Sequence, residues 1–349
     1  MKKILIDIYK TKEIYSGLGQ FSENFANQLF KISPKNFRID FLVPKGYQTF
    51  RKQELFGYRK ANFVRRFFSI INRGYDIWHC LHQFPSHLPA RNVKMILTIH
   101  DLNFLIEKND KKKNKYLNRL QKNVERADCI TTISNYSKNI IEENIDLKGK
   151  RVHTIYNGVV LDEYKDAVSP VYLDGEKFFF SIGIFNEKKN FEVLLPLIKL
   201  FDNYKLVIAG NNNTHYGNHI KEQIELLGIS ERVILPGKIS DSDKYWLYKN
   251  CEAFLFPSIA EGFGLPVIEA MRVGTPVFLS KHTCLPEIGG DKAFYLESFE
   301  AKNMFALISK ELADFNSNNE ERRKELISYS GKFTWEKCMK QYIDLYNNL

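Results

Sequence analysis

The feature that most limits what this chain can fold into is an alternation of short runs, apolar at nearly every position, with stretches long enough to be helices. In the first half the runs are ILIDI (4–8), FRIDFLV (37–43), DIWHCL (76–81), MILTIHD (95–101), CITTIS (129–134) and VHTIYN (152–157). In the second they are FFFSIG (178–183), KLVIAG (205–210), RVILPG (232–237), AFLFPS (253–258), PVFLS (276–280) and AFYLE (293–297). A strand with one wet face alternates apolar and polar residues. A strand that is apolar throughout is covered on both faces, as happens when helices cross over between parallel strands. Segments such as SENFANQLFKI and NHIKEQIELLG supply those helices.

Two such sets predict an α/β chain of two Rossmann-like, parallel-sheet domains, and 349 residues is too long for one comfortable core. The periodicity stops around residues 158–172, where Asn157-Gly158 and Pro170 punctuate the chain. The expected division is 1–165 and 166–332, with a terminal helix at about 333–349 packing back on the first domain. Ligands of open parallel sheets bind outside the carboxyl ends of the strands. Two sheets facing each other place the expected site in the cleft between them.

Charge is uneven. Residues 1–166 hold 30 Lys and Arg against 17 Asp and Glu, whereas residues 167–349 hold 21 against 24. Within the basic half, residues 50–73 interleave seven Lys/Arg with Phe50, Phe56, Tyr58, Phe63, Phe67 and Phe68. That mixture reads either as a solvated helix face or as a contact with an anionic membrane surface or another polyanion. A second basic stretch, 108–122, is poor in aromatics and reads as a solvated face. No apolar run approaches the ~20 residues that span a bilayer, and no signal peptide is expected. Five scattered cysteines without a C-x-x-C form neither a zinc site nor a disulfide framework, which points to a reducing cytoplasm.

The most informative segment is EGFGLPVIEAMRVGTPVFLS, after the run AFLFPS. Pro266 suits the start of a helix and Gly274 its exit. Glu261 then sits in a strand-to-helix loop and Glu269 in the first or second turn. The intervening Gly262-Phe263-Gly264-Leu265 aims backbone N–H groups in front of a helix, where phosphate binds. Carboxylates accept hydrogen bonds from hydroxyls. Two glutamates flanking an anion site therefore fit a ligand with sugars on either side of its phosphates, a sugar nucleotide.

Glu261 and Glu269, with seven residues between them, resemble the Glu-x7-Glu motif of the retaining, metal-independent glycosyltransferases of GT-B architecture, most closely glycosyltransferase family 4. The resemblance runs along nearly the whole chain: SGLGQF (16–21) is similar to the family's glycine loop, TIHDL (98–102) to its His-Asp segment, and TTISNYSK, IYNGV, SIGIFNEKKN, LVIAG, ERVILPGKIS and FTWEKC to later landmarks. It implies that Glu269 holds the nucleotide ribose, that Glu261 contacts the donor sugar, and that Phe263, Gly264 and Leu265 offer backbone amides. It further implies that Gly17 and Gly19 let the backbone approach the diphosphate, that His100 lies near the sugar's 6-hydroxyl, and that Lys188 and Lys189 neutralise the diphosphate. Gly237 and Lys238 fall where the nucleobase is read. Glu261, His100 and Lys189 are thus the expected catalytic residues, with no metal and no cofactor. Many members carry Arg directly after the glycine of the strand before the lysine pair; this chain has Ile184, which shifts charge stabilisation onto Lys188 and Lys189.

The implied activity is hexosyl transfer by front-face attack, the leaving diphosphate taking the acceptor's proton. The resemblance leans toward bacterial mannosyltransferases acting in surface polysaccharide and O-antigen assembly. GDP-mannose is the first-choice donor and a UDP-hexose the second. Expected partners are a nucleotide sugar, a glycan or lipid-linked oligosaccharide acceptor and, through residues 50–73, an anionic membrane at the inner face of the cytoplasmic membrane; nucleic acid is not expected.

The residues weigh against rival readings. Gly17-x-Gly19 with Asp40 is a weak dinucleotide fingerprint, with Ser22 in place of the third glycine and a long gap after the strand. A nucleic-acid-binding protein lacks a motif. An epimerase or phosphorylase of the same fold differs only in its product. Asp241-Ser242-Asp243 reads as a cap of the following helix rather than a metal site. His79, His82 and His87 read as packing or as lining of an acceptor cleft.

Overall fold

The computed structural model describes residues 1–13, 16–47, 54–173 and 175–349. It divides into two units, Met1–Gly158 with Trp335–Leu349, and Val159–Thr334. The division falls between Gly158 and Val159, and the terminal helix Trp335–Asn348 belongs to the first unit. Gly158 is the reason the chain can pass there, since a Cβ on it would lie 2.3 Å from the backbone N of Trp335.

The first unit is a parallel sheet of β1 (Lys2–Asp7), β2 (Phe37–Val43), β3 (Phe56–Lys60), β4 (Ile77–Cys80), β5 (Lys94–Ile99), β6 (Cys129–Thr132) and β7 (Val152–Thr154), in the order β3-β2-β1-β4-β5-β6-β7. The second unit holds β8 (Lys177–Ile182), β9 (Tyr204–Ala209), β10 (Val233–Gly237), β11 (Ala253–Phe256), β12 (Val277–Ser280) and β13 (Phe294–Leu296), in the order β10-β9-β8-β11-β12-β13. Each sheet therefore reverses its winding once, between β1 and β4 and between β8 and β11. Such a reversal splays the adjacent loops apart at the carboxyl ends and opens a crevice there.

All twelve expected runs are strands. The thirteenth, β3, lies inside 50–73, where a contact surface was expected; Phe56 there is core, stacked on Phe41 at 5.9 Å and against Phe30 at 4.5 Å. Residues 50–53 of that stretch lie outside the described residues. Helices cover both faces of each sheet. On one face of the first, Phe21 and Phe25 of helix Gly17–Ile32 pack against Trp335 and Tyr342 of the terminal helix. On the other, Leu120 and Val124 of helix Asp110–Arg126 share a cluster with Leu5, Trp78 and Leu97. All five cysteines are buried thiols. Among the described residues no helix is long and apolar enough to cross a membrane.

Candidate functional site

The second unit brings its charged residues to the β8/β11 reversal. β8 ends at Ile182 and runs through Gly183 into the one-turn segment Glu187–Lys189; β11 ends at Phe256 and runs through Pro257-Ser258 to Glu261. The two exits are laced together: Ile259 N and Ser258 Oγ both donate to Lys188 O, at 2.8 and 2.9 Å. Asn190, at φ 54°, turns the chain directly after Lys189. Lys189 is thereby folded back over the strand ends, its Nζ donating to Glu261 Oε1 at 2.5 Å and lying 4.7 Å from the centre of the Phe256 ring.

Glu261 accepts a second bond on the same oxygen from Ser258 Oγ at 2.7 Å, while its own N–H donates to Thr283 Oγ1 at 3.1 Å. Burial alone would raise its carboxyl. The charge and hydrogen bond of Lys189, the Ser258 hydroxyl and the charge of Lys188 outweigh that and hold it below the usual carboxylate value. The group is an ionised acceptor, oriented by two donors, at the mouth of the crevice.

Helix Leu265–Arg272 follows, with Gly264 at φ 98° before it and Pro266 in its first turn, and Gly274 at φ 77° after it. The Gly264 backbone is left-handed, so an L side chain there is strained, and its Cβ would crowd Leu285 at 3.0 Å. Phe263 is buried, edge-on to Phe333 at 5.8 Å. Glu269 lies in the second turn. Its Oε2 accepts from the buried Tyr248 hydroxyl at 2.8 Å and its Oε1 from Lys244 Nζ at 3.3 Å. Glu261 and Glu269 thus face separate partners on the two sides of one helix N-terminus. Gly237, at φ 74°, ends β10, its carbonyl accepting from Gly210 N at 2.7 Å; Lys238 beside it is exposed.

In the first unit, Gly17 and Gly19 are the first turn of helix Gly17–Ile32 rather than a loop. Ser16 caps that helix, its Oγ accepting from Gly19 N at 3.0 Å. A Cβ on Gly17 would meet nothing within 4 Å, so packing does not account for that glycine. His100 follows β5 and is buried, Nε2 within 2.8 Å of Leu81 O and its ring edge-on to Phe21. Burial pushes its pKa down to about 4 against the effect of the Leu81 carbonyl. The ring is neutral, Nε2–H donates to Leu81 O, and Nδ1 is its acceptor.

Other candidates resolve differently. Ser240, not Asp241 or Asp243, caps helix Asp241–Asn250, its Oγ accepting from Asp243 N at 3.0 Å; Asp241 pairs with Lys244 at 3.5 Å. His79 is core, within 2.7 Å of Tyr346 Oη and 2.8 Å of Thr98 Oγ1. His82 Nδ1 accepts from Phe84 N, and His87 lies between Ser86 and the Asn62 carbonyl. Among the described residues no three His, Cys, Asp or Glu side chains form a metal-ligating group. Asp40, the acid of the dinucleotide reading, is buried in β2 and bonded to Arg59 and Tyr75.

Sequence reasoning missed Ser258, Thr283 and Tyr248, the groups that fix the two glutamates. It also missed Asp7, which ends β1 at the other reversal, buried, with its Oδ1 accepting from Tyr9 N at 2.9 Å. Burial raises the Asp7 carboxyl to about 7 against the Tyr9 amide and Lys10. A polar residue closing an apolar run was its available signal.

Comparison with known proteins agrees with this layout. The Glycosyltransferase Family 4 model matches residues 30–163 and the Glycosyl transferases group 1 model matches residues 165–333. The serotype-specific mannosyltransferase WbdA of Escherichia coli is 29% identical over 327 residues, 86% of this chain and 40% of that protein. The chain therefore spans about two fifths of the length of that relative. The O-antigen chain mannosyltransferase B of Escherichia coli is 27% identical over 75% of this chain and 72% of that protein. Among solved structures, sucrose-phosphate synthase from Thermosynechococcus elongatus superposes with a TM-score of 0.79 at 17% identity, over 100% of this chain and 99% of that one. Anabaena HepE in complex with UDP and glucose superposes with a TM-score of 0.76, also at 17% identity, over the whole of both chains. These likenesses are of fold, two parallel-sheet domains of the GT-B class. With both halves matched in order by the family's own models, the chain belongs to the family 4, group 1 glycosyltransferases.

Proposed function

We propose that this chain is a retaining, metal-independent hexosyltransferase that moves mannose from GDP-mannose onto a glycan or lipid-linked oligosaccharide in bacterial surface polysaccharide assembly. The observation that carries the reading is the oriented pair Lys189–Glu261, with Lys188 beside it, at the β8/β11 reversal. A departing nucleoside diphosphate needs positive charge aimed at it. Lys189 spends one proton on Glu261 and has two left for phosphate oxygens, and Lys188 adds a second charge. Glu261, ionised, accepts from donor-sugar hydroxyls; Glu269, steadied by Tyr248 and Lys244, accepts from the ribose. Phe263, Gly264 and Leu265 lie where the N-terminal amides of their helix meet the diphosphate.

In the reaction the bond from the sugar C1 to the diphosphate oxygen breaks and a bond from C1 to the acceptor oxygen forms on the same face. The acceptor proton passes to the departing phosphate. The protein supplies position and charge rather than a base. Neutral His100, with Nδ1 as acceptor, serves the sugar's 6-hydroxyl, while Gly17 and Gly19 leave the backbone open to the diphosphate. The mannosyltransferase relatives favour mannose. The basic first half favours peripheral attachment to the inner face of the cytoplasmic membrane.

The test is thermal unfolding against GDP, UDP, ADP, CDP, dTDP and NAD, with and without Mg²⁺. A nucleotide at about 100 times its Kd stabilises by about 2.7 kcal/mol. GDP acting without Mg²⁺ is the expected result. UDP acting instead replaces mannose by a UDP-hexose donor, and a response to NAD alone, or to none, overturns the reading.

A further inference from the structure

The first unit carries a second cationic site that glycosyl transfer does not use. Lys3 of β1 and Arg38 of β2 are register partners and so project from the same face of the sheet. Asp40, two residues on, is the partner of Gly57 in β3, and Arg59 lies two residues beyond that. These side chains, with Arg65 and Arg73 from the segment that follows β3, line a cavity of about 310 Å³. Five cations thus share one cavity with a single carboxylate among its described lining residues.

That carboxylate is engaged through one oxygen only, its Oδ1 being buried without a hydrogen-bond partner among the described residues. Asp40 Oδ2 accepts from Arg59 Nε at 2.8 Å and from the Tyr75 hydroxyl at 2.7 Å. The arrangement requires Gly57, since a Cβ there would lie 2.2 Å from Asp40 Oδ1. It holds the Arg59 guanidinium by Nε and leaves its two terminal NH₂ groups to the cavity. Lys3, Arg38 and Arg73 form no ion pair among the described residues. Like charges gathered this way repel one another unless an anion joins them.

A ridge of exposed apolar side chains adjoins the cavity. Helix Phe63–Phe67 and the 3-10 turn Ser69–Asn72 present Phe63 at 71% exposure, Phe67 at 60%, Phe68 at 57% and Ile70 at 66%. The ridge is built rather than loose: buried Asn72 donates to Arg65 O at 2.9 Å and to Leu88 O at 2.8 Å, and Asn62 Oδ1 caps the helix through Arg65 N at 2.9 Å. Arg65 and Ile71 belong to both ridge and cavity. A soluble anion would use the cations and leave the aromatics in water. A bilayer surface uses both, phosphate in the cavity and aromatic side chains at the acyl boundary.

We propose that this cavity is a headgroup site for an anionic phospholipid, with the Phe63–Ile71 ridge inserted beside it. It deepens the membrane-attachment part of the proposed function. The site lies toward the amino ends of β1 and β2, so the opposite ends, where Asp7 and His100 sit, stay clear while lipid is bound.

The experiment is co-sedimentation of the full chain with vesicles of phosphatidylcholine alone and of phosphatidylcholine mixed with phosphatidylglycerol, beside calorimetry with glycerol phosphate in solution. The expected result is binding to the mixed vesicles only, weakened about tenfold or more in Arg38→Gln/Arg73→Gln. In Phe67→Ser/Phe68→Ser the expected loss is of the salt-resistant fraction. If the double charge variant does not fold, Arg73→Gln alone, at an exposed side chain, provides the comparison. Unchanged vesicle binding by the charge variants overturns the headgroup site and leaves the ridge as the sole anchor. Binding of glycerol phosphate without vesicle binding makes it a site for a free anion, and no binding of either kind also overturns it. Nucleotide thermal shifts on the same preparations report the donor site separately, so either reading can fail alone.

Discussion

Lys189 Nζ and Glu261 Oε1 are 2.5 Å apart, with side chains 11% and 14% exposed, across the exits of β8 and β11. Seventy-two positions of sequence separate them, so the pair exists only when the second sheet is assembled. Truncating one partner leaves the other charge buried without compensation, at a cost of roughly 3–5 kcal/mol. Glu261→Ala and Lys189→Ala are each expected to lower turnover well over tenfold, with the fold retained at reduced stability. The double variant is expected to lose less stability than the two singles summed, which denaturant titration of all four proteins measures. Near-native turnover in either single variant would remove the pair from the reaction.

Gly183→Ala probes the same pair without removing a charge. A Cβ at 183 would lie 2.8 Å from Lys189 Cε, 3.2 Å from Cδ and 3.3 Å from Nζ. The flexible lysine yields more readily than the sheet, so the expected outcome is a displaced Nζ and a turnover loss of about tenfold or more with a smaller stability change. Steady-state kinetics beside a melting curve separates the two effects. Equal activity would show that the lysine's position is not critical.

The framework was legible in the sequence because strands covered on both faces write an unbroken apolar run, and all twelve such runs are strands. β3 was missed because FGYRK puts Gly57, Arg59 and Lys60 into an edge strand, paired on one side only and half solvated. Within the aromatic–basic segment, composition cannot say that Phe56 faces the core while Phe67 faces water. At the site, Glu261, Lys189 and the helix entry at Gly264 were legible because their chemistry lies in local strand-to-helix turns. Ser258, Thr283 and Tyr248 were not, because what they do is set by tertiary approach. Ser240 is a local error; a serine before Asp-Ser-Asp is itself a preferred cap.

Tyr248→Phe tests the support of Glu269. It removes the donor to Oε2 and leaves Lys244 Nζ on Oε1 at 3.3 Å, while the phenyl ring keeps the packing against Phe180 and Phe254. The expected stability loss is about 1–2 kcal/mol. Nucleotide affinity should fall several-fold, with the rate at saturating donor little changed. A fall in that rate with unchanged affinity would contradict a ribose-holding role for Glu269.

Acid should destabilise the chain before carboxylates of ordinary pKa titrate. Burial lowers His79 and His82 to about 3 and His100 to about 4, against about 6.5 in the unfolded chain. The unfolded state then binds more protons than the native one below pH 6.5, so this stabilisation is complete above that pH and is lost as pH falls toward 4. By pH 5 each imidazole has cost roughly 2 kcal/mol. Asp7 acts oppositely: its folded pKa of about 7 lies above its ordinary 3.8, so protonating it in the native state adds stability as pH falls from 7 to 4. Three groups outweigh one, for a net loss of roughly 3 kcal/mol between pH 8 and pH 5. Urea midpoints across that range measure it. Asp7→Asn should raise stability at pH 8 and steepen the acid loss; a flat profile would mean that the imidazoles become charged inside the fold.

Gly17→Ala separates folding from binding most sharply. The position opens helix Gly17–Ile32 behind its Ser16 cap, and a Cβ there would touch no protein atom within 4 Å. Alanine is the better helix former by up to about 1 kcal/mol in a helix interior, so thermal stability should be unchanged or slightly higher. If the open space is where the donor diphosphate approaches the backbone, the methyl group stands in it. Donor KM should then rise about tenfold or more while the melting temperature holds. A variant with native KM would show that the first turn of this helix keeps its glycine for some reason other than the donor, and Gly17 and Gly19 would leave the site.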